Sequence, residues 1–325
     1  MGVMSTNKII EPWIKLSEYL SQDDYDRIHE LQEKCQIEEQ IAFKLELDYK
    51  LAVAAESRLK AGSKEMNEFL YYDGTRLFGY IGICGFGGAG MPLEITGMVD
   101  PEYRRQGIFT KLSDLVLQEC RQRGVGTVLL LCDRKATIGQ QVIKKINADY
   151  KHTEYEMYLK EDYGKPKEEL YCGLHLRRAT NADAYEIARQ NAIYFGDVFP
   201  EEDGKVIEAN QNISKQVPEE DLLCPEEEEK RGITIYLAYK DQQIIGKVHL
   251  DSNSSVGGIY GLGVLPEYRG RGYGRALLLR AIEKLKEERE SILLQVEANN
   301  SKALGLYQSC GFYETSIMDY YELKP

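Results

Sequence analysis

The sequence predicts an α/β protein of the α+β kind, with one succession of strands and helices laid out twice along the chain. Three observations carry that expectation. Residues 258–263 read as a strand with β-branched and aromatic residues between glycines, and they feed a turn with glycines at 270, 272 and 274. That turn opens a helix in which Leu278, Ile282 and Leu285 recur at helical spacing, widened by Leu277 and Ala281. Residues 99–107 repeat residues 264–272 at a constant offset of 165 (Arg269 against Arg104), sharing a valine, Pro-Glu-Tyr-Arg and a glycine.

The elements follow in order. Residues 21–39 place Ile28, Leu31 and Cys35 on one helical face, with Ser21 as N-cap and acidic residues in the first turn. Residues 41–59 suit a strand or a helix equally. Residues 69–72 and 77–85 flank Asp73-Gly74-Thr75 as a hairpin, and 93–99 is a third strand. A helix runs to about Arg123, and 128–132 is the next strand. The charged stretch 160–169, with Gly164 and Pro166, is the natural linker between a first domain at 1–162 and a second at 170–325. There, 174–179 alternates as a strand, and Thr180 or Asn181 caps a helix bearing Ala184, Ile187 and Ala188. Residues 191–232 look irregular and acidic. Residues 235–238 and 244–250 make the second hairpin, and 292–297 the fifth strand of this half. The order strand, hairpin, strand, helix, strand, helix therefore occurs twice.

A formal charge of −12 argues against nucleic acid or an anionic membrane as the main partner, and suits a cationic small molecule. Seven cysteines form no Cys-x-x-Cys pair and no metal-type cluster with the four histidines, so reduced thiols in a cytoplasm are expected and no metal. The most apolar window, 77–91, is short and broken by six glycines, so no membrane span is expected. Residues 1–6 match a myristoylation pattern with no polybasic second signal, which argues against an anchor.

The turn at 269–274 aims unpaired backbone N–H groups and the positive helix end at one point, and Arg269 and Arg271 add charge suited to phosphate oxygens. Its glycine spacing fits neither the dinucleotide fingerprint nor a P-loop. It resembles the acetyl-CoA signature of the GNAT N-acyltransferase superfamily, Arg/Gln-x-x-Gly-x-Gly/Ala, at Arg269, Gly272 and Gly274, with a Val-x-Pro-x-x-Arg lead-in at Val264, Pro266 and Arg269. Further on, Val296, Asn300, Ala303, Leu306, Tyr307, Gly311 and Phe312 match that superfamily's closing pattern. With the repeat, the chain resembles tandem GNAT domains of the two-domain, mycothiol synthase-like type. The first copy departs from the pattern: Phe109 replaces the third small residue, and Ile143 stands where Tyr307 would. That half is expected to keep the fold and lack the chemistry.

The resemblance implies an acetyl-CoA-dependent N-acetyltransferase with a small-molecule amine as acceptor. It implies a mixed sheet in each domain, with fourth and fifth strands that run parallel and splay, so that Leu262, Gly263 and Val264 pair with the pantetheine arm of coenzyme A. Arg269, Gly270, Arg271, Gly272, Tyr273 and Gly274 would hold the pyrophosphate. Tyr307 would return a proton to the departing thiolate, with an aromatic packed on the sheet as the plainer alternative. Asn300 would cap the following helix or touch the cofactor. For the general base, the fourth-strand position that carries a glutamate in some members falls near Gly258, leaving Glu297, His249 or a water relay. A non-catalytic acyl-CoA-binding module and a protein-lysine or N-terminal acetyltransferase, with the acidic 219–229 run recruiting lysines, are the competing readings.

Overall fold

The computed structural model describes residues 9–57, 65–85, 92–163, 171–195 and 222–325. The myristoylation pattern at 1–6, most of the expected linker at 160–169 and the start of the acidic run lie outside them.

The chain forms two compact units, and they are not its linear halves. The first runs to Tyr155 and adds Ser316–Pro325; the second holds Glu156–Thr315. The linear division at 162 and 170 therefore misplaces the last strand, which pairs with a partner nearly two hundred residues away.

In the first unit, β1 (Pro12–Ser17), β2 (Glu68–Asp73), β3 (Arg76–Cys84) and β4 (Leu93–Val99) pair antiparallel in sequence order. Strand β5 (Val128–Asp133) then runs parallel to β4, and residues Met318–Leu323 of the final strand pair antiparallel with β5. Helix α1 (Gln22–Glu39) begins as expected, with the Ser21 hydroxyl accepting the Asp24 N–H at 3.2 Å. The ambiguity over 41–59 resolves as helix α2 (Leu47–Ser57). Helix α3 (Ile108–Gln122) buries Ile108, Leu112, Val116 and Cys120 against Ile81, Ile83, Ile95, Val99 and Leu130. On the opposite face Ile28, Leu31 and Cys35 of α1 meet Leu70, Tyr72, Tyr80 and Met98. Helix α4 (Thr137–Lys145) follows β5, and β6 (Asp149–Leu159) straddles the division between the units.

The second unit carries β7 (His175–Arg178), α5 (Ala184–Phe195), α6 (Pro225–Lys230), β8 (Ile233–Lys240), β9 (Gln243–Asp251), β10 (Val256–Val264), α7 (Tyr273–Lys286), β11 (Ser291–Glu297) and α8 (Ser301–Ser309), and it ends in the first residues of β12 (Phe312–Leu323). Two helical stretches correct the expectation that 191–232 is irregular. Helix α5 reaches Phe195, and Pro225 starts a short helix whose first turn holds Glu226, Glu227 and Glu228. Proline at the first position and acids at the positive helix end favour that turn. Its sheet runs β11-β10-β9-β8-β7, with only β10 and β11 parallel. Seven residues of α7, Ala276 to Leu285, are buried on one face. On the other, Ile187 of α5 packs with Ala179, Ile235 and Leu237.

The repeat survives folding. A 3-10 turn at Pro101–Tyr103 answers one at Pro266–Tyr268, and the helices behind them start from glycines at φ +81° (Gly107) and +83° (Gly272). All described cysteines are free thiols, and no described helix is long and apolar enough to cross a membrane.

Candidate active site

Strands β10 and β11 pair from Val256↔Ser291 to Ile259↔Leu294 and no further. Beyond that point the β10 edge facing β11, which includes Leu262, Gly263 and Val264, has no described strand paired with it. The gap opens toward the turn. There Arg269, Gly270, Arg271 and Gly272 are exposed, Tyr273 and Gly274 half-buried, and a side chain at Gly270 would meet nothing within 4 Å. The first helical amide in use is that of Ala276, which donates to the Gly272 carbonyl at 3.0 Å. The N–H groups of 271–275 donate to no described residue, which leaves an anion-binding end of α7 open.

Arg269 has a structural task as well. Its Nε–H donates to the Val264 carbonyl at 2.8 Å, closing the strand end onto the turn, and Arg104 does the same to Val99 at 3.0 Å in the first unit. Asn300 caps α8: its side-chain oxygen accepts the Ala303 N–H at 3.1 Å, the first of its two expected roles.

Tyr307 lies on α8, which leads away from the end of β11. Its ring is buried, 6.3 Å from that of Phe312 in an edge-on arrangement, and its hydroxyl bonds to no described residue. Burial pushes its pKa up to about 12, so the phenol keeps its proton at any physiological pH. A leucine of the same helix, Leu306, would touch a side chain at Gly274 at 3.6 Å, which sets α8 beside the first turn of α7.

The two base candidates are placed less favourably. Glu297 is exposed at the end of β11 and accepts a hydrogen bond from the Asn299 side chain at 2.6 Å. His249 is held well below its ordinary pKa, first by burial and then by the Lys247 ammonium 3.1 Å from its Nε2. It is neutral, and the nitrogen a base would use faces a cation.

Around His249 the fold assembles groups that the sequence pattern did not single out. Lys247 is fully buried, donates to the Gly261 carbonyl at 3.1 Å and lies 5.7 Å from the ring centre of Tyr194. Tyr194 donates to Gln190, itself fully buried, at 2.8 Å and packs on Gly263. A lysine in a strand reads as solvent-facing, and Tyr194 lies in the stretch 191–232 that looks irregular in the sequence. The helical spacing of Ile187, Gln190 and Tyr194 was the available signal.

The first unit opens at the corresponding place, since β4 and β5 pair only from Leu93↔Val128 to Ile95↔Leu130. Its opening holds the unit's own chain. Ile41 belongs to the core beneath α3, Leu45 to the core beneath α1, and Phe43 packs against both. The Ala42 N–H donates to Asp133 at the end of β5 at 2.8 Å, and Lys44 reaches Glu94 on β4 at 3.4 Å and the Tyr320 hydroxyl at 2.8 Å. Since those cores lie on opposite faces, residues 41–45 cross the sheet through the gap. Phe109 packs partly buried on this core, and Ile143 is buried in it.

A parallel strand pair that opens ahead of a 3-10 turn and a glycine-started helix, laid out twice in one chain, is a tandem acyltransferase-type fold. The model of the Acetyltransferase (GNAT) family matches residues 25–145 and 197–312, and the chain belongs to that family. The mycothiol acetyltransferase of Rhodococcus erythropolis is 27% identical over 290 residues, covering 82% of this chain and 88% of that one. That of Kocuria rhizophila is 39% identical over 90 residues, which span 25% of this chain and only 30% of the relative. Among solved structures, a GCN5-related N-acetyltransferase from Sphaerobacter thermophilus superposes with a TM-score of 0.65 at 16% identity, covering 96% of this chain and 95% of that one. A tandem GNAT protein from the clavulanic acid biosynthesis pathway gives 0.65 at 13% identity, covering 97% and 98%. At such identities the likeness is one of fold: two tandem GNAT domains.

Proposed function

We propose that the chain is an acetyl-CoA-dependent N-acetyltransferase working in its second domain, with the amine of a small molecule as acceptor and direct attack as the route. The observation that carries this reading is the end of β10–β11 pairing at Ile259 and Leu294, ahead of a turn whose amides at 271–275 donate to no described residue. The residues suit the cofactor. The open edge at Leu262, Gly263 and Val264 can take the amide-bearing pantetheine arm as an added strand. Arg269, Gly270, Arg271, Gly272, Tyr273 and Gly274 offer amides, charge and room for its diphosphate.

Bound acetyl-CoA supplies an acyl thioester. A backbone N–H near Leu262 donates to the thioester oxygen as it gains charge, a contribution that exceeds an ordinary hydrogen bond in a dry cleft. Tyr307 holds the proton that the departing sulfur needs, and a phenol gives it up only once the sulfur is anionic. Neither Glu297 nor His249 is placed to take the proton of the amine, which arrives neutral or loses it to solvent. The relatives named mycothiol acetyltransferase support a small-molecule acceptor. The first domain, with residues 41–45 in its opening, takes no cofactor.

Calorimetric titration of acetyl-CoA into the wild type and Arg269→Ala tests the reading. Binding to the first, roughly tenfold weaker in the second, is expected. Undetectable binding to both would overturn it.

A further inference from the structure

Strand β10 does not simply end its pairing with β11; it is pulled out of register on its other side too. Tyr260 faces His249 and Gly263 faces Lys247, so Gly261 and Leu262 together stand opposite Val248 alone. That is a β-bulge, and it puts two successive residues on one face. The face is the one covered by α5: a side chain at Gly258 would strike the Tyr260 ring, one at Gly261 would lie 3.1 Å from the Lys247 ammonium, and one at Gly263 would strike Tyr194. Gly261 takes φ +54°, a conformation in the left-handed region.

The Lys247 ammonium sits at the centre of this kink. It donates to the Gly261 carbonyl and lies against Nε2 of His249, both at 3.1 Å. Its strand partner in register is Leu237, which is fully buried, and Ile245 two residues before it is fully buried as well. A leucine or methionine would cost the fold less at such a place, because burying an ammonium forfeits its hydration. The cation is explained by what it holds rather than by packing.

We propose that Lys247 is the positioning residue of the acyl site, its ammonium pinning the Gly261 carbonyl so that the bulge turns the neighbouring N–H groups of β10 into the cleft. Resting on the N-acetyltransferase reading above, this adds a residue outside both motifs. The ammonium also sets the form of His249. With Nε2 accepting, the neutral ring carries its proton on Nδ1, and the histidine is a donor there rather than a base at Nε2.

The test needs no acceptor. Infrared spectra of acetyl-CoA labelled with carbon-13 at the thioester carbonyl are taken on the wild type, Lys247→Met and Lys247→Arg. The wild type is expected to lower the carbonyl frequency relative to free acetyl-CoA, Lys247→Met to abolish most of that shift, and Lys247→Arg to restore part of it. Coenzyme A should still bind Lys247→Met through the untouched diphosphate turn, so that the carbonyl frequency of the bound thioester can be read at saturation. A full carbonyl shift in Lys247→Met overturns the proposal. Should that variant not fold, nitrogen-15 spectra of the wild-type histidines decide: His249 protonated on Nε2 overturns it, and protonated on Nδ1 supports it. If the wild type binds neither coenzyme A nor acetyl-CoA, the N-acetyltransferase reading falls instead.

Discussion

The ring of Tyr194 occupies the space in which a side chain at Gly263 would stand: a Cβ there would lie 2.2 Å from Cε2 of the tyrosine. The glycine lets α5 lie directly on β10 at the edge of the cleft. Gly263→Ala must move a ring that is anchored through its hydroxyl to Gln190. The expected loss is about 1–3 kcal/mol of stability, the range for overpacking. Urea unfolding of Gly263→Ala, Tyr194→Ala and the double variant checks it: the double should be less destabilised than the sum of the singles, since one clash underlies both.

Tyr307→Phe removes a proton donor and leaves the ring in place. The turnover with acetyl-CoA and a small amine should fall roughly a hundredfold or more, while acetyl-CoA affinity stays within about threefold. The wild-type phenol, raised to about 12, stays protonated through neutral and mildly alkaline pH, so no rate loss should trace to it until the pH approaches that value. Stability has the same sign. The unfolded tyrosine loses its proton near pH 10, the folded one near 12, so its contribution is complete below 10 and declines between the two. Steady-state kinetics of the two proteins across pH 7–10 give the first comparison.

Gly107 and Gly272 start α3 and α7 from the same left-handed conformation, and an added methyl group would meet open space at the first and the Cys172 sulfur at an ordinary 3.5 Å at the second. Alanine at either should cost about 1–2 kcal/mol through the backbone alone. Only Gly272→Ala should weaken acetyl-CoA binding. Equal weakening by Gly107→Ala would move the cofactor site to the first domain.

With Ile41, Phe43 and Leu45 lodged in its opening, the first domain should take no cofactor, and titration should give one acetyl-CoA per chain. Two equivalent sites would contradict this. Replacing Ile41 and Phe43 together with alanine should destabilise the first domain by several kcal/mol without changing the affinity of the occupied site.

Much of this was legible in the sequence because it rests on local chemistry. Pro-Glu-Tyr-Arg with a following glycine writes a 3-10 turn, a carbonyl-capping arginine and a helix start twice, and the offset of 165 holds for all three. Strand β1 was not legible: Trp13 and Leu16 are exposed, so no buried alternation marks it. Lys247 and the crossing of residues 41–45 escaped for a related reason. Each is defined by groups distant in sequence: a strand lysine does not announce burial, and the apolar residues at 41, 43 and 45 announce burial but not the two cores they join.

The pairing of Met318–Leu323 with β5 has a consequence for how the molecule comes into being. A ribosome delivers Val128–Asp133 long before it delivers the strand that covers their edge, with the whole of the second unit made in between. The earlier-made domain is thus the later one to be finished, and a nascent chain must keep that edge from sticking to its neighbours until then.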